Sequence, residues 1–221
     1  MLFKTLKNNW KNIEILMNGG GEEERKKIEQ IGNDVQYIYK MGGMLPPPPR
    51  YKHINIKEYA KEYGCKTLIE TGSFYGDTID AVKDIFEEIY TIELSQELFL
   101  SVQKRFQNIS KIHCYQGDSA ILLPNILKKC NENPIFWLDA HYSGGITEKT
   151  NKESPIVEEL EIILNKFKKV VILIDDARIF ETSDNYPSIF TVKQIVKSKF
   201  PKAEFEVYSD IIRIVIGHIK K

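Results

Sequence analysis

Seven side chains in this sequence have the type and placement to do chemistry. Six are acids that follow apolar, strand-like runs: Glu70, Glu93, Asp118, Asp139 and the adjacent pair Asp175 and Asp176. The seventh is His141, two residues after Asp139. A lone carboxylate at a strand end can accept hydrogen bonds from two vicinal hydroxyls, as in dinucleotide-binding folds. Several carboxylates brought together repel one another. A hard divalent cation relieves that repulsion, and oxygen ligands suit magnesium, calcium or manganese. An imidazole beside such a cluster is suited to accept a proton near neutral pH.

These acids are useful only if the chain gathers them. From residue 54 onward, apolar runs alternate with helical patterns. Strands are expected at 67–71, 88–93, 111–116, 134–139, 169–174, 203–208 and 210–216. Helices are expected near 56–64, 76–86, 95–107, 118–130, 154–166 and 188–199. Strands alternating with helices imply a parallel sheet. The tight junction at Ser209 and Asp210 makes the last pair a hairpin, so one strand runs antiparallel. The almost wholly apolar 169–174 reads as a strand buried on both faces. Residues 1–50 differ in character. Gly19, Gly20 and Gly21 separate helical patterns at 3–17 and 22–40, and Pro46 to Pro49 close the segment with extended polyproline geometry. We read 1–50 as a helical appendage and stiff connector, suited to cover a site, to build a homo-oligomer interface or simply to pack on the sheet, and 51–221 as the α/β domain.

The first strand leads into the turn E-T-G-S-F-Y-G-D-T at residues 70–78. A nicotinamide site usually has G-x-G-x-x-G at this place, because pyrophosphate needs close backbone approach. Here Phe74 and Tyr75 stand between Gly72 and Gly76 and would obstruct it. S-adenosyl-L-methionine carries no phosphate. It needs a tight turn, an acid near its cationic end and a second acid for its ribose. Glu93, 21 residues beyond Gly72, meets the last requirement.

The whole series resembles the class I S-adenosylmethionine-dependent methyltransferases over about residues 56–217. The resemblance implies a doubly wound, seven-stranded, mostly parallel α/β sheet of order 3-2-1-4-5-7-6. It also implies that Glu70, Thr71, Gly72, Ser73 and Gly76 line the methionine end of the cofactor, with Asp139 beside them. Glu93 would hold the ribose, and Asp118 with the Ser119 amide would address the adenine edge. The motifs D-A-H-Y-S-G-G after the fourth strand and I-D-D after the fifth look like the metal-dependent sugar O-methyltransferases of the macrocin O-methyltransferase group. By that likeness Asp139, Asp175 and Asp176 hold Mg2+ or another hard divalent cation, and His141 is the general base. Asp139 as the base, with His141 orienting substrate or water, is the other assignment. In the long polar loop at 141–153, Tyr142 is placed to stack on a sugar. Arg178 is placed to meet a phosphate or carboxylate of the acceptor.

Composition narrows the classes. The 221 residues carry 31 basic and 31 acidic side chains, a balance that argues against a nucleic-acid partner. Three cysteines, Cys65, Cys114 and Cys130, form neither a disulfide framework nor a zinc motif, which fits a reducing, cytoplasmic setting. No run approaches the roughly 18 apolar residues of a membrane span. His53, His113 and His218 read as structural or surface residues. The expectation is an O-methyltransferase acting on a small-molecule or glycan hydroxyl. A catechol-like or other small acceptor, or a non-catalytic binding module for the same cofactor, are the alternatives.

Overall fold

A pentapeptide such as Val170–Ile174, with no polar side chain, is stable only when covered on both faces and paired along both edges. In the computed structural model, which describes residues 46–130, 133–139, 154–183 and 186–218, every residue of this segment is buried. It is strand β5 of a sheet with order β3-β2-β1-β4-β5-β7-β6. The other strands are β1 (Thr67–Thr71), β2 (Glu88–Glu93), β3 (Ile112–Gln116), β4 (Ile135–Leu138), β6 (Glu204–Tyr208) and β7 (Ile211–Ile216). Neighbours from β3 through β5 pair in parallel, and β7 runs antiparallel to both β5 and β6. Each strand lies within one residue of the expected span, and the sheet order is the expected one. Ser209 and Asp210, with φ of 46° and 64°, make the two-residue hairpin turn whose twist suits the flanking strands.

The helices are α1 (Pro49–Tyr63), α2 (Asp77–Val82, continued by a 3-10 turn at Lys83–Ile85), α3 (Gln96–Phe106), α4 (Ser119–Ile126), α5 (Ile156–Lys166), α6 (Ile179–Thr182) and α7 (Ile189–Lys199). Three differ from expectation, and the first of them, α4, ends at Ile126, four residues before the expected 130. Helix α1 begins seven residues earlier than the expected 56, at the last proline of the run. A proline at the first helical position loses only an N–H that would be unsatisfied anyway, and its fixed φ suits the helix. Helix α6 is four residues long, too short for a periodic signal. The expected helices within 1–45 lie outside the described residues. Among the described residues no helix is long and apolar enough to cross a membrane.

Register decides which side chains meet. Glu70 on β1 stands level with Thr91 on β2 and Trp137 on β4, and Trp137 with Leu173 on β5. Level residues in a sheet share a face, and so do residues two positions on. Glu93, Asp139 and Asp175 lie two positions beyond Thr91, Trp137 and Leu173. The ladder reaches this far, since Asp139 N donates to Thr71 O (3.0 Å) and Asp175 N to Leu138 O (3.0 Å). Four acids therefore emerge along the carboxyl edge on one face of the sheet. Helix α1 packs against α2, β4 and β5, whereas α4, α5 and α7 join the core that includes Ile69, Phe136, Ile172 and Ile214.

Helix α1 is locked in place by a buried polar tie. Arg213 on β7 is 4% exposed, and its guanidinium donates to Ile211 O (3.0 Å), Tyr208 O and Asn55 Oδ1 (2.8 Å). Asn55 in turn donates to Tyr51 O at 2.8 Å. Arg213→Leu would leave these acceptors buried without a donor. We expect it to lower unfolding stability by about 3 kcal/mol in a denaturant titration. A loss below about 0.5 kcal/mol, the scatter of ordinary surface changes, would show that the tie does not secure α1.

Candidate active site

The turn after β1 is built to curl tightly at the sheet edge. Gly72 and Gly76 have φ of 84° and 80°, and even Phe74 is left-handed at 48°. A Cβ on Gly76 would come within 2.7 Å of the Phe106 ring, so this glycine is required twice over. The Gly72 and Ser73 amides donate to Ile92 O on β2. Phe74 and Tyr75, half exposed, pack edge to face with ring centres 4.4 Å apart.

Behind the turn, three polar side chains form a buried relay. The Thr91 hydroxyl donates to Glu70 Oε2 (2.7 Å), and the Ser73 and Thr91 hydroxyls share a hydrogen bond of 2.5 Å. Burial pushes the Glu70 carboxyl up to about 8; the Thr91 hydrogen bond opposes the shift, and the charges of Asp139 and Glu93 add to it. Glu93 accepts the Phe74 amide on one oxygen (2.8 Å) and the Ser95 amide on the other (3.0 Å). Asp118 caps α4 through the Ala120 amide (2.9 Å). Gly117 N donates to Glu93 O (2.9 Å), joining the ends of β2 and β3.

Further along the edge, Asp139, Asp175 and Asp176 each bring a carboxylate oxygen within 4.8 Å of the others. Consecutive strand residues normally point to opposite faces. Asp176 escapes that rule by taking φ of 55°, a conformation Asp tolerates, while its amide donates to Asp175 Oδ1 (2.9 Å). Both carboxylates then meet one ammonium: Lys52 Nζ of α1 contacts Asp175 Oδ2 and lies 3.7 Å from Asp176 Oδ1. Arg178 pairs with Asp176 Oδ1 (2.8 Å) and with Asp210 Oδ2 of the β6–β7 turn, and its amide donates to Asp210 Oδ1 (2.8 Å). Burial raises the Asp175 carboxyl well above its ordinary range; the charge of Asp139 adds to this, Lys52 opposes it, and Asp176 adds further. Burial disfavours the charge on Lys52, but Asp175, Asp139 and Asp176 outweigh it and raise its pKa. Lys52 is therefore a cation here and not a base.

Among the described residues, Lys52 and Arg178 approach this group of carboxylates as cations. The donor set, all oxygen and mutually close, suits a hard cation. Among the described residues it is the one such cluster of potential ligands. A small cavity beside it is lined by Asp139, Asp175, Asp176, Ser154, Glu159 and Tyr186, among others.

Sequence reading missed Lys52, Glu159 and Asp210. Lys52 had no local signal, because its partner is 123 residues away. Glu159 did have one: it occupies a core position of the amphipathic α5, between Ile156 and Ile163. Asp210 looked like ordinary hairpin chemistry. The proposed base His141 and the proposed sugar contact Tyr142 lie outside the described residues, as does the whole of their loop at 141–153.

No family model and no curated protein sequence matches the chain. Solved structures do. The O-methyltransferase TomG from Streptomyces achromogenes, involved in tomaymycin synthesis and solved with S-adenosylmethionine, superposes with a TM-score of 0.57 at 13% identity, over 84% of this chain and 96% of that one. A Staphylococcus aureus protein described as a caffeoyl-CoA O-methyltransferase gives 0.57 at 12% identity, over 95% and 99%. The Bacillus cereus O-methyltransferase with S-adenosylhomocysteine gives 0.53 at 12% identity, over 83% and 97%. The fold is that of the class I methyltransferases. At such low identity the likeness is one of fold.

Glu159 offers a test of the electrostatics. It is 1% exposed, accepts the Ser119 hydroxyl (2.5 Å), and places its second oxygen near Thr71 Oγ1 without completing a hydrogen bond. Burial pushes its carboxyl up to about 7, against the pull of the Ser119 and Thr71 hydroxyls. The folded state thus holds a proton that the unfolded chain releases near 4.5, so this group lowers stability as pH rises from about 4.5 to about 7. Glu159→Gln cannot ionise and keeps the acceptor for Ser119. Its stability relative to the parent should rise through that window to a gain of about 2 kcal/mol at pH 8. A difference that does not change with pH would mean that Glu159 ionises normally in the fold.

Proposed function

We propose that this chain is an S-adenosylmethionine-dependent, divalent-metal-dependent O-methyltransferase acting on a sugar hydroxyl. The observation that carries the reading is the row of acids along one sheet edge. The β1 and β2 acids surround a glycine turn, and the β4 and β5 acids form a close oxygen cluster. The first group matches what the cofactor asks for: Glu70 beside the turn at Thr71, Gly72, Ser73 and Gly76, Glu93 for the ribose, and Asp118 with Ser119 at the adenine end. Asp139, Asp175 and Asp176 are the residues that would hold Mg2+.

The cofactor supplies an electrophilic methyl group, and a divalent ion makes a coordinated hydroxyl easier to deprotonate. This chain's residues supply the rest. Asp139 lies at the junction of the two groups, its amide bonded to β1 and its carboxylate in the cluster. His141, two residues on, is our candidate to take the acceptor proton. Arg178, held by Asp176 and Asp210, borders the same place. Tyr142 is the candidate platform for a sugar face.

A second reading keeps cofactor and metal but takes a catechol-like or other small acceptor. The resemblance in fold to the Staphylococcus aureus protein described as a caffeoyl-CoA enzyme favours it. Polar Glu159, Ser154 and Tyr186 around the acid cluster favour a polyol.

Calorimetry with S-adenosylhomocysteine, followed by methyl-transfer assays over sugar and catechol acceptors with Mg2+ or chelator, separates these readings. We expect binding of S-adenosylhomocysteine by the parent, weakened about tenfold, or about 1.4 kcal/mol, in Glu93→Ala. We expect turnover of a sugar acceptor that chelator abolishes, and its loss in Asp176→Ala with cofactor binding kept. Absence of S-adenosylhomocysteine binding would remove the methyltransferase reading, and turnover unaffected by chelator would remove the metal.

A further inference from the structure

The acid cluster already contains a cation, and it belongs to the protein. Lys52 Nζ contacts Asp175 Oδ2 and lies 3.7 Å from Asp176 Oδ1, and both residues are metal ligands in our reading. Its partners are therefore the groups a divalent ion would need. A metal ion and an ammonium seek the same oxygen lone pairs and repel each other at such range.

Lys52 and Arg178 differ in how readily they can leave. Arg178 is fastened from several directions: its guanidinium bridges Asp176 and Asp210, and its own amide is bound to Asp210. One guanidinium nitrogen, Nη1, is shared between the two carboxylates, and a third hydrogen bond fixes the backbone beneath it. Lys52 has a flexible four-carbon stem and a point charge. Both side chains reach water, Lys52 at 20% and Arg178 at 34% exposure, so the ammonium has a way out and what separates the two is how each is anchored. The helix that carries it cannot easily follow, because the Asn55–Arg213 tie holds α1 to β7. Any displacement is then a movement of the lysine side chain.

We propose that Lys52 is a tethered counter-ion of Asp175 and Asp176 that a divalent metal ion must displace, so that α1 sets the metal affinity of the site. This rests on the reading of the three aspartates as metal ligands. Without metal, Lys52 keeps buried Asp175 from standing uncompensated. With metal, the ammonium turns outward and the ion takes its place. The resident lysine therefore lowers apparent metal affinity and favours an ion strong enough to expel it.

Two measurements on the full chain test this. The first is Mn2+ binding, followed by the electron paramagnetic resonance of the free ion, for the parent, Lys52→Met and Lys52→Arg. We expect Lys52→Met to bind Mn2+ at least tenfold more tightly than the parent, and Lys52→Arg to stay near or below the parent. Binding by Lys52→Met alone would mean that the ion does not displace the native lysine, and would overturn the proposal. Unchanged or weaker binding in a folded Lys52→Met would overturn the proposal, and no binding by any of the three would overturn it together with the metal reading. The second uses the unmodified protein, so it holds even if Lys52→Met does not fold. Saturating Mg2+ should raise the labelling of Lys52 by an amine-reactive reagent at least threefold, read by peptide mass spectrometry. Equal labelling with and without bound Mg2+ would mean that the ammonium is never displaced.

Discussion

Like charges forced together out of water are the constraint around which this molecule is arranged. Asp175 is almost wholly buried, and Asp139 and Asp176 stand beside it. Ionised carboxylates in such a place are costly unless partners compensate them. The compensation comes from distant parts of the chain. Lys52 arrives from α1, Arg178 from the loop after β5, and the Asp176 amide from the backbone itself. Each compensating group needs its own support. Arg213 and Asn55 hold α1, and Asp210 holds Arg178. Much of the polar architecture between the two ends of the domain serves to keep three carboxylates in one small volume.

The sheet makes that grouping cheap in chain terms. Parallel strands all present their carboxyl ends at one edge, and ligand sites of open α/β sheets lie there. Alternation along a strand then selects the face. Thr91, Trp137 and Leu173 stand level with Glu70, and each is followed two residues later by an acid. A shift of one residue in any strand would send its acid to the opposite face. The apolar runs that fix the register thus also fix which carboxylates meet.

This accounts for what could be read directly from the sequence. Strand spans and sheet order follow from apolar runs such as V-V-I-L-I and from their alternation with helical periods, so the acids at the strand ends were visible in advance. The contributions of Lys52 and Asp210 were not. Their partners are remote in sequence, and a lysine on a helix gives no hint that it turns inward. The start of α1 was misplaced because a proline run suggests extended chain, whereas its last member is also a favoured first helical residue. Glu159 was overlooked although a carboxylate at an apolar position of α5 is a readable anomaly. His141 and Tyr142 lie outside the described residues, so their roles rest on the motif around them.

The position of β7 has a consequence for how the molecule comes into being. This strand lies between β5 and β6, and the turn joining β6 to β7 supplies Asp210 to the wall of the acid cluster. It is also the last strand in chain order. On the ribosome, the carboxylates of β4 and β5 emerge well before the groups that finish enclosing them. Until then β5 has an open edge, and Arg178 lacks one of its two anionic partners. A growing chain can therefore assemble most of its sheet without completing the site. The wall of the cluster is thus complete only when β7 has paired with β5 and carried Asp210 to Arg178.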